Sequence, residues 1–454
     1  MVLKHQVTLN IKPVIEYSIW RGISVTKMAR MNVLADVVKG LKANVYAVDN
    51  LSPVSRVAVY IRAGSRYEPD AHPGITHYLR ASAGLTTQTS SIFGITRHTE
   101  RAGATLKVTS DREYIIYRVD CLRDKLNRVL GFIDDTIHKP EFRSWELVDV
   151  VQPRLKEELE RFKRDQVMVA NEALHKAAYR GGLAHSLFIP EHQIEKIKND
   201  HLFEFVEKNY VLERMYFAGL GVDENELRDT VEENFRLNNS PFAGVVGASR
   251  YVGGEARIQA GFPHTMVNFV VQGSHETDLK KLAALEVISF LLGANQQTHV
   301  KYGQGPETSL SNLLNSYSPK FKSSIININH SDSGLFGFSI VGPNEHLYKA
   351  TKASIAHFKR IVSGISEKDL SSARKATRAR SLILSENQEA VFTAMGRRYA
   401  AGIANQSPLD QVETLKLSDV KATAESLLKS KPTIVSVGNP RFVPYVDELD
   451  SQIM

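Results

Sequence analysis

At 454 residues, with 43% apolar and 24% charged side chains, the chain can bury more than one core and excludes a disordered or low-complexity protein. Its longest apolar stretches, such as Ala283 to Ala294, are short and carry Glu286, so no membrane-crossing helix is expected. The formal charge of +7 comes from scattered residues without a nucleic-acid motif, so no nucleic-acid partner is expected either.

The first elements set up the chemistry. Met1 to Val33 carries Lys4, Lys12, Arg21, Lys27 and Arg30 against Glu16 alone, with Ser18, Ser24 and Thr26 between them, which fits a mitochondrial targeting segment over residues 1–35. The run Val57 to Ile61 reads as a strand leading to Gly64-Ser65. Gly74 to Leu85 then reads GITHYLRASAGL. A zinc peptidase of the inverted type needs H-x-x-E-H on a helix, because residues four apart share a face and two imidazoles there can grip one ion. Here the window is His77-Tyr78-Leu79-Arg80-Ala81.

Further on, Ser110-Asp111 precedes a strand over Tyr114 to Val119, and Cys121, alone in the chain, follows that apolar run as a buried reduced thiol. Leu126, Val129, Leu130 and Ile133 mark an amphipathic helix. Gly219-Leu220-Gly221 closes another strand, and the turn-rich interval 238–254 reads as a linker between a domain at 36–237 and one at 255–454.

After the linker the pattern repeats. Val267 to Val271 leads to Gly273-Ser274, an offset of 273 minus 64, or 209. Ser331-Asp332 precedes the strand Leu335 to Ile340, an offset of 331 minus 110, or 221, and Ser436-Val437-Gly438 matches the third anchor at 438 minus 221, or 217. Three anchors in one order predict two copies of one fold, with extra residues between Ser274 and Ser331 assigned to the polar loop from Gly293 to Pro306. A helix from Thr277 or Asp278 to Leu292 takes in copy two the place of the His77 segment. Another is capped by Asn344 and carries Leu347, Ile355, Phe358 and Val362. Strands and helices in this mixed order predict an α+β fold with helices packed on mainly antiparallel sheets.

Arg62 to Glu68, Gly74 to His77, and Glu100 to Ala104 with Thr109 to Glu113 resemble the N-terminal half of the pitrilysin-type M16 metallopeptidases. More narrowly, His77 to Arg80 with Leu85-Thr86-Thr87, Pro140 to Glu146, Ala177 to Arg180 and Ser331 to Phe338 resemble non-catalytic members of that family. The resemblance runs from about Asp36 to the C-terminus and implies two homologous domains per chain. In active members two histidines and a distant glutamate bind zinc and the motif glutamate activates water. Carried over, His77 matches the first ligand, Arg80 stands for the base, Ala81 for the second ligand, and Glu158 falls near the third. Flanked by Glu157 and Glu160, Glu158 fits a solvated helix face equally well.

A guanidinium stays charged, takes no proton from water and opposes a nearby cation, so no catalytic residue and no metal are expected, and His77 is read as a structural, hydrogen-bonded histidine. The resemblance implies a structural subunit of the ubiquinol–cytochrome c reductase. Such a subunit is peripheral on the matrix side of the inner membrane, is paired with a homologous subunit, and carries no haem, quinone or iron–sulfur cofactor of its own. The alternative is the presequence-recognising subunit of a mitochondrial processing peptidase, marked by an acidic cavity with a glycine-rich loop. Gly303 to Gly305 is poor in glycine for that purpose and is no phosphate cradle. Arg374, Lys375, Arg378 and Arg380 read as a solvated helix face.

Overall fold

The computed structural model describes residues 43–235, 241–242, 247–293, 309–403 and 408–453. The expected targeting segment, the Gly303 to Gly305 loop and part of the 238–254 interval lie outside the described residues. The N-terminal half opens with β1 (Asn44–Val48) and β2 (Val54–Ile61), then the helix α1 (Ile75–Ser82), β3 (Thr105–Ser110) and β4 (Ile115–Leu122). There follow α2 (Leu126–His138), α3 (Gln152–Arg164), α4 (Gln166–Ala178), β5 (Tyr179–Arg180) and β6 (Met215–Leu220). Next come β7 (Arg250–Tyr251), β8 (Gly254–Gln259), β9 (Thr265–Gln272), α5 (Leu279–Leu292), β10 (Lys322–Asn329) and β11 (Gly334–Gly342). The chain then runs through α6 (Asn344–Ser363), α7 (Glu367–Glu386) and α8 (Gln388–Ala400) to β12 (Thr433–Gly438).

Two five-stranded sheets result, ordered β1-β6-β2-β4-β3 and β8-β12-β9-β11-β10 once the second is read from its β8 edge. Among the described residues only the β1–β6 and β8–β12 pairs are parallel. The two orders are the same, and the three anchors fall at the ends of β2 and β9, before β4 and β11, and at the ends of β6 and β12. The duplication and the α+β class therefore hold. Within the interval 238–254, Arg250 and Tyr251 pair with Arg180 and Tyr179, and Gly254 already belongs to β8. Asp278, not Thr277, caps α5 by accepting from the Lys281 amide. The cap expected at Asn344 is corrected: α6 starts there behind Pro343, because the Asn344 side chain accepts from Thr265 Oγ1 at 2.7 Å.

β2 and β9 are buried along nearly their whole length, so each needs a cover on both faces. One face of β2 presents Val57, Val59 and Ile61 to a core that includes Ile75 of α1 and Val129, Leu130 and Ile133 of α2. Its other face, Ala58 and Tyr60, packs against Phe392, Met395 and Ala400 of α8, from the C-terminal half of the sequence. The arrangement is reciprocal. Met266 and Val270 of β9, with Val435 and Val437 of β12, pack against Ala170, Ala173, Leu174 and Ala178 of α4, from the N-terminal half. Small residues set the approach. A Cβ on Gly396 of α8 would meet the Tyr60 hydroxyl at 2.3 Å, so a glycine there lets the helix lie down on the sheet. On α7, Arg378 pairs with Glu413 at 3.0 Å and both are well exposed, as expected of a solvated face, whereas Arg380 reaches Glu286 at 3.5 Å.

Candidate functional site

α1 starts where it does because Gly74 takes φ 88°, and a Cβ there would run into Ile189 at 2.4 Å. No side chain at the cap position serves the first turn. Glu68 does so instead, accepting the Gly74 amide at 2.7 Å, the Thr76 amide at 3.0 Å and the Thr76 hydroxyl. Burial pushes the Glu68 carboxyl up to about 7 against those hydrogen bonds. Helix and cap together fix the direction of His77.

His77 is fully buried, with Phe188 edge-on to its ring. Its Nδ1 accepts the Ile189 amide at 3.1 Å, which leaves the proton on Nε2, donated to Glu158 Oε2 at 2.9 Å. Burial, reinforced by Arg80, lowers the imidazole below its ordinary value against the pull of Glu158, so the ring is neutral. Arg80 donates to the same Glu158 oxygen at 2.5 Å. Ala81, one helical turn beyond His77, is buried in the N-terminal core, and its carbonyl accepts from Arg154 at 2.5 Å.

Three of the four positions singled out from the sequence therefore meet, and the open reading of Glu158 resolves. Its side chain is 25% exposed, against 63% for Glu157 and 56% for Glu160, so α3 turns Glu158 alone toward His77. The hydrogen bond from His77, with Arg80 beside it, holds its carboxyl down at about 2 against the cost of burial. Because that value lies below the ordinary 4.5, the contact contributes stability above pH 4.5 that is lost as pH falls toward 2.

These residues do not fit a zinc ion. Both ring nitrogens of His77 are committed, Ala81 offers no donor, and a fixed cation occupies the carboxylate. Among the described residues no group of three His, Cys, Asp or Glu side chains is set to hold a metal. Cys121 is no nucleophile: it is 2% exposed on β4, and burial pushes its thiol up to about 11. Replacing Arg80 with glutamine is expected to raise the Glu158 pKa, read by NMR titration, and to cost no more than about 1 kcal/mol, because Arg80 and Glu158 are both part-exposed.

A second polar cluster, which the sequence did not reveal as a site, lies where the halves meet. Arg66 donates to Glu113 Oε1 at 2.9 Å, to both oxygens of Asp332, to Ser331 Oγ at 3.1 Å and to the Gly247 carbonyl at 3.2 Å. Ser331 returns its amide to Glu113 Oε2 at 2.9 Å. Arg112 pairs with Glu172 of α4 at 2.9 Å, and His175 of α4 meets His330 at 3.2 Å, Nε2 to Nε2. Burial drives His175 well below its ordinary value and His330 down to about 3, so both rings are neutral. Removing one partner from charged residues so buried and so closely paired would leave the others uncompensated.

The sequence of the first half, residues 44–191, matches the model of the insulinase family, peptidase family M16, and residues 196–377 match the model of the M16 peptidase inactive domain. The chain belongs to the M16 peptidase family. Among M16 relatives it is 33% identical over 414 residues to the mitochondrial cytochrome b-c1 complex subunit 2 of Homo sapiens, covering 89% of each chain. It is 31% identical to the same subunit of Mus musculus, again over 89% of each chain. To the mitochondrial-processing peptidase subunit alpha of Solanum tuberosum it is 25% identical, covering 92% of this chain and 84% of that one. Among the described residues of this M16 chain no helix is long and apolar enough to cross a membrane.

Proposed function

We propose that this chain is a non-catalytic structural core subunit of the mitochondrial ubiquinol–cytochrome c reductase, complex III. The observation that carries the reading is 33% identity to cytochrome b-c1 complex subunit 2 along nearly the whole of both chains. In this reading the segment 1–35 directs import, and two M16-like domains at 36–237 and 255–454 joined through 238–254 stand on the matrix side. The chain pairs with the homologous core protein 1 and with other subunits of the complex, and the complex alone holds it at the membrane.

The site chemistry supports the non-catalytic part of that reading. His77, Arg80, Ala81 and Glu158 are vestigial peptidase-motif positions: Arg80 cannot act as a general base, and its charge already neutralises the carboxylate that a metal would need. What remains of the motif closes the helix pair α1 and α3 with a neutral imidazole and an ion pair. The processing-peptidase reading draws on relatives of 24–26% identity, lower than the 31–33% of the mammalian b-c1 subunits.

Co-purification tests it. The chain is tagged in its own cells, mitochondrial membranes are solubilised gently, and the absorption spectrum of the eluate is read. Stoichiometric b- and c-type haem bands that stay with the chain through a native gel are the expected result. A haem-free soluble heterodimer that cleaves presequences would overturn the reading in favour of a processing-peptidase subunit.

A further inference from the structure

The two Ser-Asp turns that anchor the duplication are also where the halves grasp one another. Asp332, ahead of β11, pairs with Arg66 of the N-terminal half, and Asp111, ahead of β4, pairs with Arg397 of α8 at 3.1 Å. Each arginine also faces a glutamate, and there the two clasps differ. Glu113 lies 2.9 Å from Arg66, and Ser331 occupies both of its oxygens through amide and hydroxyl. Glu276 comes only within 3.8 Å of Arg397, and its Oε2 is buried without a partner among the described residues.

The charges around Glu276 are balanced without it. Arg397 faces it from α8, Asp111 and Glu113 from the turn before β4, Tyr114 from the same turn, and Arg62 from the end of β2. Its own amide donates to the His330 carbonyl at 2.8 Å, so its backbone is held in the C-terminal half whatever its side chain does. Arg397 and Arg62 are balanced by Asp111 and Glu113, so an ionised Glu276 is a third acid against two cations.

We propose that the Asp111–Arg397 clasp is proton-gated: a proton on Glu276 keeps α8 seated on the N-terminal sheet, loss of that proton favours lifting it, and the Asp332–Arg66 clasp does not respond over the same pH range. Burial pushes Glu276 up to about 7, with Arg397 pulling the other way. A carboxyl raised above its ordinary 4.5 contributes seating stability that is complete below pH 4.5 and lost as pH rises through about 7. The gate thus works in the neutral range. The buried His175 and His330 are neutral throughout it.

Amide hydrogen exchange on the full chain in its purified assembly tests this, with α8 compared against α4. After correction for the intrinsic rate, the opening constant of α8 is expected to rise about tenfold from pH 6 to pH 8, the value for one carboxyl moving between the two pKa values. That of α4, whose half holds the other clasp, stays flat. Glu276→Gln removes the slope in α8. A flat α8 profile in the unaltered chain, an equal slope in α4, or a slope that survives Glu276→Gln overturns the proposal. The comparison of the two helices needs no variant, so a Glu276→Gln chain that fails to fold leaves the test intact.

Discussion

Arg66→Met is expected to lower the stability of the chain by about 3–5 kcal/mol, read as a fall in the chemical denaturation midpoint. The side chain is 5% exposed, and the substitution strips the cation from Glu113 and Asp332 together, leaving two carboxylates that face one another across the junction. Glu113 cannot find water easily, since its side chain is 2% exposed, whereas that of Asp332 is 26% exposed and can turn toward solvent. Methionine fills much of the volume, so the loss reports charge rather than a cavity. Lysine is not expected to rescue it, because one ammonium cannot reproduce a planar fork shared between two acids and a serine hydroxyl. A loss no larger than that of Arg80→Gln would mean that the junction is open to solvent and the halves are joined by packing alone.

Phe392→Ala is the second large effect, at about 3–5 kcal/mol for a buried phenylalanine. The ring is 1% exposed, lies with Ala58 and Tyr60 of β2, and carries the Arg118 guanidinium 5.1 Å above its centre. The more telling readout is the shape of the transition. Phe392 belongs by sequence to the second half and by packing to the first, so its loss should destabilise both sheets in one shared unfolding step. Leu174→Ala on α4, the reciprocal position in the C-terminal sheet, should move the same step. Two separate transitions, each shifted by only one of the substitutions, would refute the coupling.

The strands and their duplication were legible because a two-residue or continuous apolar pattern, bounded by Gly-Ser and Ser-Asp, survives in one dimension. The order of strands within each sheet was not legible, and that the two orders agree came from the structure. The exchange of α4 and α8 was not legible. Ala170, Ala173, Leu174 and Ala178 announce a helix with an apolar face, but spacing along a helix does not name the sheet that the face will cover. Unbroken burial along Val57 to Ile61 and along Val267 to Val271 was the available hint, since such strands need a layer on both sides.

At His77 to Ala81, the sequence shows directly that Arg80 can take no proton from water and that Ala81 offers no donor. The fate of Glu158 could not be read that way, because Glu157, Glu158 and Glu160 stand close together on one helix and only the third dimension singles out the one that meets His77. The junction escaped for a related reason. Arg66, Glu113 and Asp332 sit in stretches that read as ordinary polar turns, and nothing local says that they are buried against one another.

The crossed helices also impose an order of events on a chain that is made or threaded from its N-terminus. The first sheet has all its strands once residue 220 is available, yet the face carrying Ala58 and Tyr60 stays bare until residues 388–400 arrive. Until then that face is an apolar surface awaiting its own cover and open to any other, which makes the half-delivered chain a natural client for a chaperone. Cutting the gene between the copies would make that transient exposure permanent.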